Sequence, residues 1–188
     1  MSAFDLASIE APDFVEPIEA WRVWRVVSVK DGYRLGSVVK PTLWPPGEPL
    51  CAECLRSSPL GMWFRRKRER AHAVPDEGCE CGIYAGWLPA IRPYVSDPPA
   101  SLAVGRVVGQ VSLWGTVIEC ERGFRASRAY PLRVYVPTDS PYSRGRRPEE
   151  LIAGLDVYGV PVEPLAARCS EAVGVLERKQ IASLRGDG

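Results

Sequence analysis

Alternating apolar and polar positions in two stretches of the chain, residues 21–40 and 105–136, predict two β-hairpins. In the first stretch, valine-rich segments flank an Asp31-Gly32 pair, which is a strong turn signal. In the second, a valine-rich run leads to a Glu-Arg-Gly turn and then to an apolar run that contains Pro131. Because proline has no N–H to donate, this last run is predicted to be an edge strand or two short strands. The pattern therefore predicts a mainly β domain, either a small barrel or a sandwich of hairpins.

The C-terminal part of the chain has a different pattern. Residues 137–148 are polar and predict a linker, and a proline followed by two acids at 148–150 favours the start of a short helix. A further short strand is predicted over residues 156–162. Apolar residues then recur with a helical period over 165–185, which predicts a C-terminal helix. Residues 149–188 are thus expected to form a helical C-terminal segment, and the fold is expected to be α+β overall.

The remaining segments differ from the hairpins in composition. Residues 1–20 carry five acidic side chains, no basic one and two prolines, which predicts an acidic, extended arm. This arm is either solvated or docked onto the domain. Residues 21–136 would then form the β domain, with an insert at residues 50–86 that separates the two hairpins.

The insert carries the strongest chemical motif of the chain. Cys51 and Cys54 form a Cys-x-x-Cys pair, Cys79 and Cys81 form a Cys-x-Cys pair, and His72 lies between the pairs. Two clustered pairs a few dozen residues apart are the usual way to surround Zn²⁺ with four thiolate or imidazole ligands. There are five candidates for four places. The site is therefore either all-thiolate or a mixture of three thiolates and the imidazole.

The order of these residues is also informative. The chain resembles a group of small uncharacterised proteins from high-GC bacteria. The resemblance lies in a single cysteine followed by His-x-x-Pro and Cys-x-Cys-Gly, and in a Leu-Trp-Gly-x-Val strand motif. The resemblance covers roughly residues 21–136 and brings no known function with it. It implies a mixed site of three thiolates and one imidazole. Cys51 is an extra cysteine that the pattern of the group does not include, and it stays an alternative ligand. The implied ligands are Cys54, His72, Cys79 and Cys81.

A zinc site is structural when four protein ligands close it and catalytic when one position stays open for water. A hydrolase-type enzyme would need such an open position and a general base, for which Glu77 and Glu80 are the nearest candidates. The zinc deaminase motif is not matched, and the single histidine cannot serve both metal and proton transfer. These features favour a non-enzymatic, zinc-stabilised binding module, with the metal-dependent hydrolase as the alternative.

A basic run inside the insert suggests how such a module could contact a partner. Beside an aromatic residue, it could bind the phosphate backbone of a nucleic acid and stack a base, or it could be a solvated loop. The partner could equally be a protein, and the sequence does not indicate the oligomeric state. The candidate contact residues are Trp63, Arg65, Arg66, Lys67, Arg68 and Arg70.

Composition narrows the classes of function further. Among 188 residues, 24 basic and 23 acidic side chains give a net charge of +1, which argues against polyanion binding through global charge. No apolar run approaches the roughly 18 residues of a membrane span, and the N-terminus lacks the features of a signal peptide. We therefore expect a cytoplasmic protein without a membrane partner, whose cysteines are thiols or metal ligands. Cys120 and Cys169 are expected to pack in the core.

Overall fold

The computed structural model describes residues 16–54, 72–95, 103–142 and 145–185, and this part of the chain is built on seven strands and two α-helices. Short 3₁₀ segments lie at Leu88–Tyr94, Asp156–Tyr158 and Cys169–Glu171. The strands are β1 (Ile18–Val29), β2 (Gly32–Ser37), β3 (Leu50–Cys51), β4 (Ile83–Gly86), β5 (Gly105–Cys120), β6 (Gly123–Pro137) and β7 (Val162–Leu165). The helices are α1 (Pro148–Leu155) and α2 (Ala172–Arg185).

Two antiparallel hairpins form the framework, as the alternation predicts. β1 and β2 pair across the turn at Asp31, and β5 and β6 pair over nearly their whole length. The hairpins join edge to edge, because Ile18–Val26 of β1 pairs with Leu113–Gly105 of β5. The predicted mainly β class, with a C-terminal helix and a Cys/His loop, is therefore confirmed.

A short strand closes this sheet into a small barrel. β4 pairs with β6 along its four residues, and Gly86 at its end also pairs with Trp21 of β1. The hydrogen-bonded order β1–β5–β6–β4 thus returns to β1. Of the two predicted architectures, the barrel is the one formed. β4 begins at Ile83, two residues after Cys81, so the closure of the barrel fixes the position of the Cys-x-Cys turn.

Alternate side chains of β1 enter two different cores. Trp24 and Val26 point into the barrel, where the Trp44 ring packs against Trp24 at a centroid distance of 5.5 Å. Trp21 and Val23 point outward and are covered by α2 and the 3₁₀ segment before β5. Because successive side chains of a strand face opposite sides, a strand buried on both faces loses its simple apolar–polar alternation.

The prediction that Pro131 interrupts its strand is wrong. β6 is continuous and central, with β5 on one edge and β4, β3 and β7 in turn along the other. The register changes from Gln110 opposite Arg133 to Val111 opposite Pro131, so Leu132 is an extra residue in β6. This bulge takes up the irregularity that a proline without an N–H introduces into a ladder.

Boundaries near both ends also differ from the predicted ones. β1 begins at Ile18, inside the segment assigned to the acidic arm; residues 1–15 lie outside the described residues. Asp156–Tyr158 is a 3₁₀ turn rather than a strand, and the last strand is β7, which runs parallel to β6. The helix predicted from residue 165 begins at Ala172. Residues 165–169 are not α-helical, but their apolar side chains join the same buried cluster as those of α2. The apolar recurrence in the sequence therefore extends beyond the helix itself.

No helix within the described ranges is long and apolar enough to cross a membrane.

Candidate metal centre

Four potential ligands converge at the end of the barrel where β4 begins. The sulfur atoms of Cys54 and Cys79 are 3.7 Å apart, and Nε2 of His72 is 3.4 Å from the sulfur of Cys81. All four ligand atoms lie within 4.8 Å of one another. Zinc with bonds of about 2.3 Å to sulfur and about 2.05 Å to nitrogen has tetrahedral separations of about 3.8 Å between two sulfurs and about 3.6 Å between sulfur and nitrogen. The two separations given above are close to these values, and the four residues together are able to hold a metal ion.

Strand pairing brings the distant ligands together. β3 and β4 lie one after the other along the same edge of β6, with Cys51 opposite Arg128 and Ile83 opposite Ala126. The backbone N–H of Ala52 continues the β3 ladder by donating to the carbonyl of Ser127 at 2.8 Å. Cys54 follows β3 and the Cys-x-Cys turn precedes β4. Ligands 25 residues apart in sequence are therefore neighbours at one end of the barrel.

The turn that carries Cys79 is stabilised by Asp76. Its side chain accepts a hydrogen bond of 2.9 Å from the N–H of Gly78, and its carbonyl accepts one of 3.1 Å from the N–H of Cys79. After Cys81 the chain turns again at Gly82, whose φ of 123° is a conformation that other residues rarely adopt. Gly82 therefore allows the tight turn between the Cys-x-Cys pair and β4.

A buried arginine ties this turn to the barrel. Nη1 of Arg125, on β6, donates hydrogen bonds to the carbonyl oxygens of Cys79, Cys81 and Asp76, with a distance of 3.2 Å to that of Cys81. Arg125 is only 8% exposed. Sequence reasoning missed this residue. Arginine is common on the solvent face of a strand, and its position two residues after the Gly123 turn does not show that the Cys-x-Cys turn covers it.

The cluster is largely enclosed. The three cysteines are buried, His72 is partly buried, and Val74 packs against them. Burial and the neighbouring thiols of Cys54 and Cys81 raise the pKa of the Cys79 thiol above its usual value. A thiolate in such a place needs a compensating cation, and a bound metal would supply it.

The other cysteines lie outside this cluster. Cys51, the alternative ligand, is exposed, and its sulfur faces the carbonyl of Pro49 at 4.0 Å. The described residues therefore assemble the mixed set rather than the all-thiolate set. Cys169 is buried as predicted, in the 3₁₀ turn before α2 rather than on the helix. Cys120, the last residue of β5, is partly exposed, so the expectation that it packs fully in the core is wrong.

The other predicted functional residues do not join the cluster. Glu77 and Glu80, the candidate general bases, are both exposed, and neither belongs to the group of converging ligands. The predicted partner contacts in the basic run, from Trp63 to Arg70, lie outside the described residues.

No family model, no curated protein and no solved structure matches this chain. The resemblance to the group from high-GC bacteria thus stays a prediction, and any inference about function depends on the site itself.

Proposed function

We propose that the chain is a non-enzymatic binding module whose fold is stabilised by one Zn²⁺ bound to Cys54, His72, Cys79 and Cys81. The observation that carries this proposal is the closed set of four ligand atoms, all within 4.8 Å of one another. Three sulfurs and one imidazole nitrogen form a soft, tetrahedral donor set, which is typical of zinc. Four protein ligands leave no position for a reactive water, which supports a structural role for the metal.

The charge of the surroundings supports the same assignment. Three thiolates and one divalent cation give the centre a net charge of minus one. The buried guanidinium of Arg125 lies against the backbone of two ligands, where its positive charge offsets that of the centre. Hydrogen bonds from partners of this kind orient ligands and tune metal affinity. Zinc would thereby hold β3 and β4 in place along β6.

The metal content of the purified chain tests the proposal. We expect one zinc per chain, lost in Cys54→Ser and His72→Ala but kept in Cys51→Ser, which is the matched control for the exposed neighbouring cysteine. Substitution with Co²⁺ should give the absorption spectrum of a tetrahedral sulfur-rich site. A full zinc content in His72→Ala together with a lost zinc content in Cys51→Ser would overturn the mixed ligand set. Metal-free, folded, freshly reduced protein would overturn the proposal entirely.

The partner of the module is proposed to be a protein or a nucleic acid, met in the cytoplasm, where cysteines stay reduced. Salt dependence separates the two classes. Nucleic-acid binding should weaken steeply with salt, and neutralisation of Arg65, Arg66, Lys67 and Arg68 should abolish it. Absence of nucleic-acid binding at low salt would favour the protein partner. Hydrolytic turnover that depends on zinc and is lost in Glu77→Gln or Glu80→Gln would instead support the alternative metal-dependent hydrolase.

A further inference from the structure

A second unusual arginine lies on the opposite edge of β4. Nη1 of Arg22 donates to the carbonyl oxygen of Tyr84, and Nη2 donates to Oγ of Ser37 at 3.1 Å. The guanidinium carbon is 5.1 Å from the centroid of the Trp44 ring. Among the described residues, none of the ion pairs involves Arg22, so its charge has no carboxylate partner there.

Arg22 occupies a gap in the wall of the barrel. The same edge of β1 pairs with β4 at Trp21 and with β2 from Trp24 onward, so it has no paired strand at Arg22. A cavity of about 690 Å³ lies over this gap. Its volume falls within the range of about 300–1,000 Å³ that is typical of small-molecule sites.

The walls of the cavity are mainly apolar. Arg22 is partly exposed, and it is one of three cations in the lining, with Lys40 and Arg122. The two acids of the lining, Glu53 and Glu80, each adjoin a metal ligand in sequence. The apolar part of the wall includes Val23, Val38, Leu50, Ile83, Ile91 and Phe124.

The burial and the unused N–H donors of the Arg22 guanidinium favour the binding of an anion. Burial of the guanidinium lowers the pKa of Arg22 to about 10, because a charge held away from water is poorly solvated. Nε is enclosed and has no hydrogen-bond partner among the described residues. Guanidinium carries five N–H donors, so the second N–H groups of Nη1 and Nη2 are the ones left for a ligand. An anion there would gain a charge-assisted hydrogen bond in a largely apolar surrounding.

We propose that this cavity is a binding site for a small monocarboxylic acid with an apolar body, whose carboxylate contacts the guanidinium of Arg22. A carboxylate offers one negative charge to the guanidinium of Arg22, and an apolar body covers the walls. Inorganic phosphate would offer the charge but leave the walls unused. The lining contains none of the four proposed zinc ligands, so either assignment can fail without the other.

Binding to the zinc-loaded full chain tests the proposal, with calorimetry or tryptophan fluorescence as the readout. The probes are decanoate, its uncharged analogue decanol, its cationic analogue decylamine, and inorganic phosphate. We expect decanoate to saturate a single site and to bind at least about tenfold more tightly than each of the others. Equal binding of decanoate and decanol, or no saturable decanoate binding, would overturn the proposal.

Two variants locate the site. Arg22→Gln removes the charge and should weaken decanoate binding at least about tenfold. Because Arg22 also joins β2 to β4, a second variant leaves those bonds in place: Val39→Glu sets a negative charge on a lining residue that is 79% exposed. It should weaken decanoate binding but not decanol binding.

Val157→Glu, on an exposed valine outside the lining, is the matched control and should bind decanoate as the parent does. Decanoate binding that is unchanged in folded Val39→Glu would place the ligand elsewhere and overturn the assignment. Metal content is measured in each variant and should stay at the parent value, which separates this test from that of the zinc centre.

Discussion

Arg125 donates a hydrogen bond to the carbonyl oxygen of Cys79, and this bond joins the central strand of the barrel to the turn that carries two metal ligands. The same Nη1 atom donates a second hydrogen bond to the carbonyl oxygen of Cys81 at 3.2 Å. Burial of an arginine costs free energy unless its charge and donors are compensated. Its position is therefore favourable only while these carbonyls stay in place.

Arg125→Gln should lower the affinity for zinc without changing the stoichiometry of binding. The change removes a positive charge and hydrogen bonds that orient the Cys-x-Cys turn, and losses of this kind typically cost about 10- to 100-fold in metal affinity. Competition with a chelator of known affinity measures the effect. Arg128→Gln, an exposed residue on the same strand, is the control and should bind zinc as the parent does. Equal affinities of the two variants would show that Arg125 does not act on the centre.

Removal of zinc should loosen one end of the barrel rather than unfold it throughout. β4 joins β1 through one residue pair only, Trp21 with Gly86, whereas β5 and β6 pair along most of their length. At free zinc about 1,000-fold above Kd, bound metal contributes about 4 kcal/mol to the free energy of unfolding, and a chelator would remove that contribution.

Hydrogen exchange with and without chelator locates this loosening. Amides of Ile83–Gly86 and of the preceding turn should exchange faster without metal, while those in the centre of β5 keep their protection. Uniform loss of protection would contradict the local role that the geometry gives to the metal.

Gly82→Ala should destabilise both the fold and the metal site. The residue has a φ of 123°, and an added Cβ would lie 3.1 Å from Cβ of Arg125 and 3.2 Å from Cβ of Pro75. Backbone strain of this kind costs about 1–3 kcal/mol. Gly47→Ala is the matched control, because Gly47 also has a positive φ but its added Cβ meets nothing within 4 Å. Both variants should lower the melting temperature, but only Gly82→Ala should also weaken zinc binding.

Short sequence motifs predicted the first hairpin and the metal cluster, because the residues of each motif are close neighbours in the sequence. The Asp31-Gly32 turn and the alternation around it lead directly to the first hairpin, and the cysteine spacing leads to the metal cluster. The choice between Cys51 and His72 as fourth ligand could not be made from spacing. It depends on the pairing of β3 with β6, which turns the Cys51 side chain to solvent and carries the chain on to Cys54.

Long-range packing determines the parts that the sequence did not reveal. β4 has only four residues and no clear alternation, yet it closes the barrel, because both of its neighbours present free edges to it. The buried Arg125 and the partly enclosed Arg22 are each stabilised by backbone carbonyls from distant segments. No pattern around either arginine distinguishes it from the other arginines on the same strands.

Tyr158→Phe should destabilise the barrel, by an amount that depends on pH. The hydroxyl of this buried tyrosine donates to the carbonyl of Trp44 at 2.7 Å and accepts from the N–H of Leu35 at 2.8 Å. Removal of the hydroxyl leaves two buried backbone groups without this partner, at a cost of about 1–3 kcal/mol. Urea unfolding at pH 8 measures that cost, with Tyr94→Phe, an exposed tyrosine, as the control.

The pH dependence of this cost follows from the same burial, which raises the pKa of the Tyr158 hydroxyl. Below pH about 10 the tyrosine is protonated in the folded and in the unfolded chain, so it adds no pH dependence. Above that pH the unfolded chain releases the proton while the folded chain keeps it, and the free energy of unfolding of the parent falls. Phenylalanine has no proton to release. The difference in stability between the parent and Tyr158→Phe should therefore shrink between pH 8 and pH 11, and a difference that grows over this interval would contradict a buried, protonated hydroxyl.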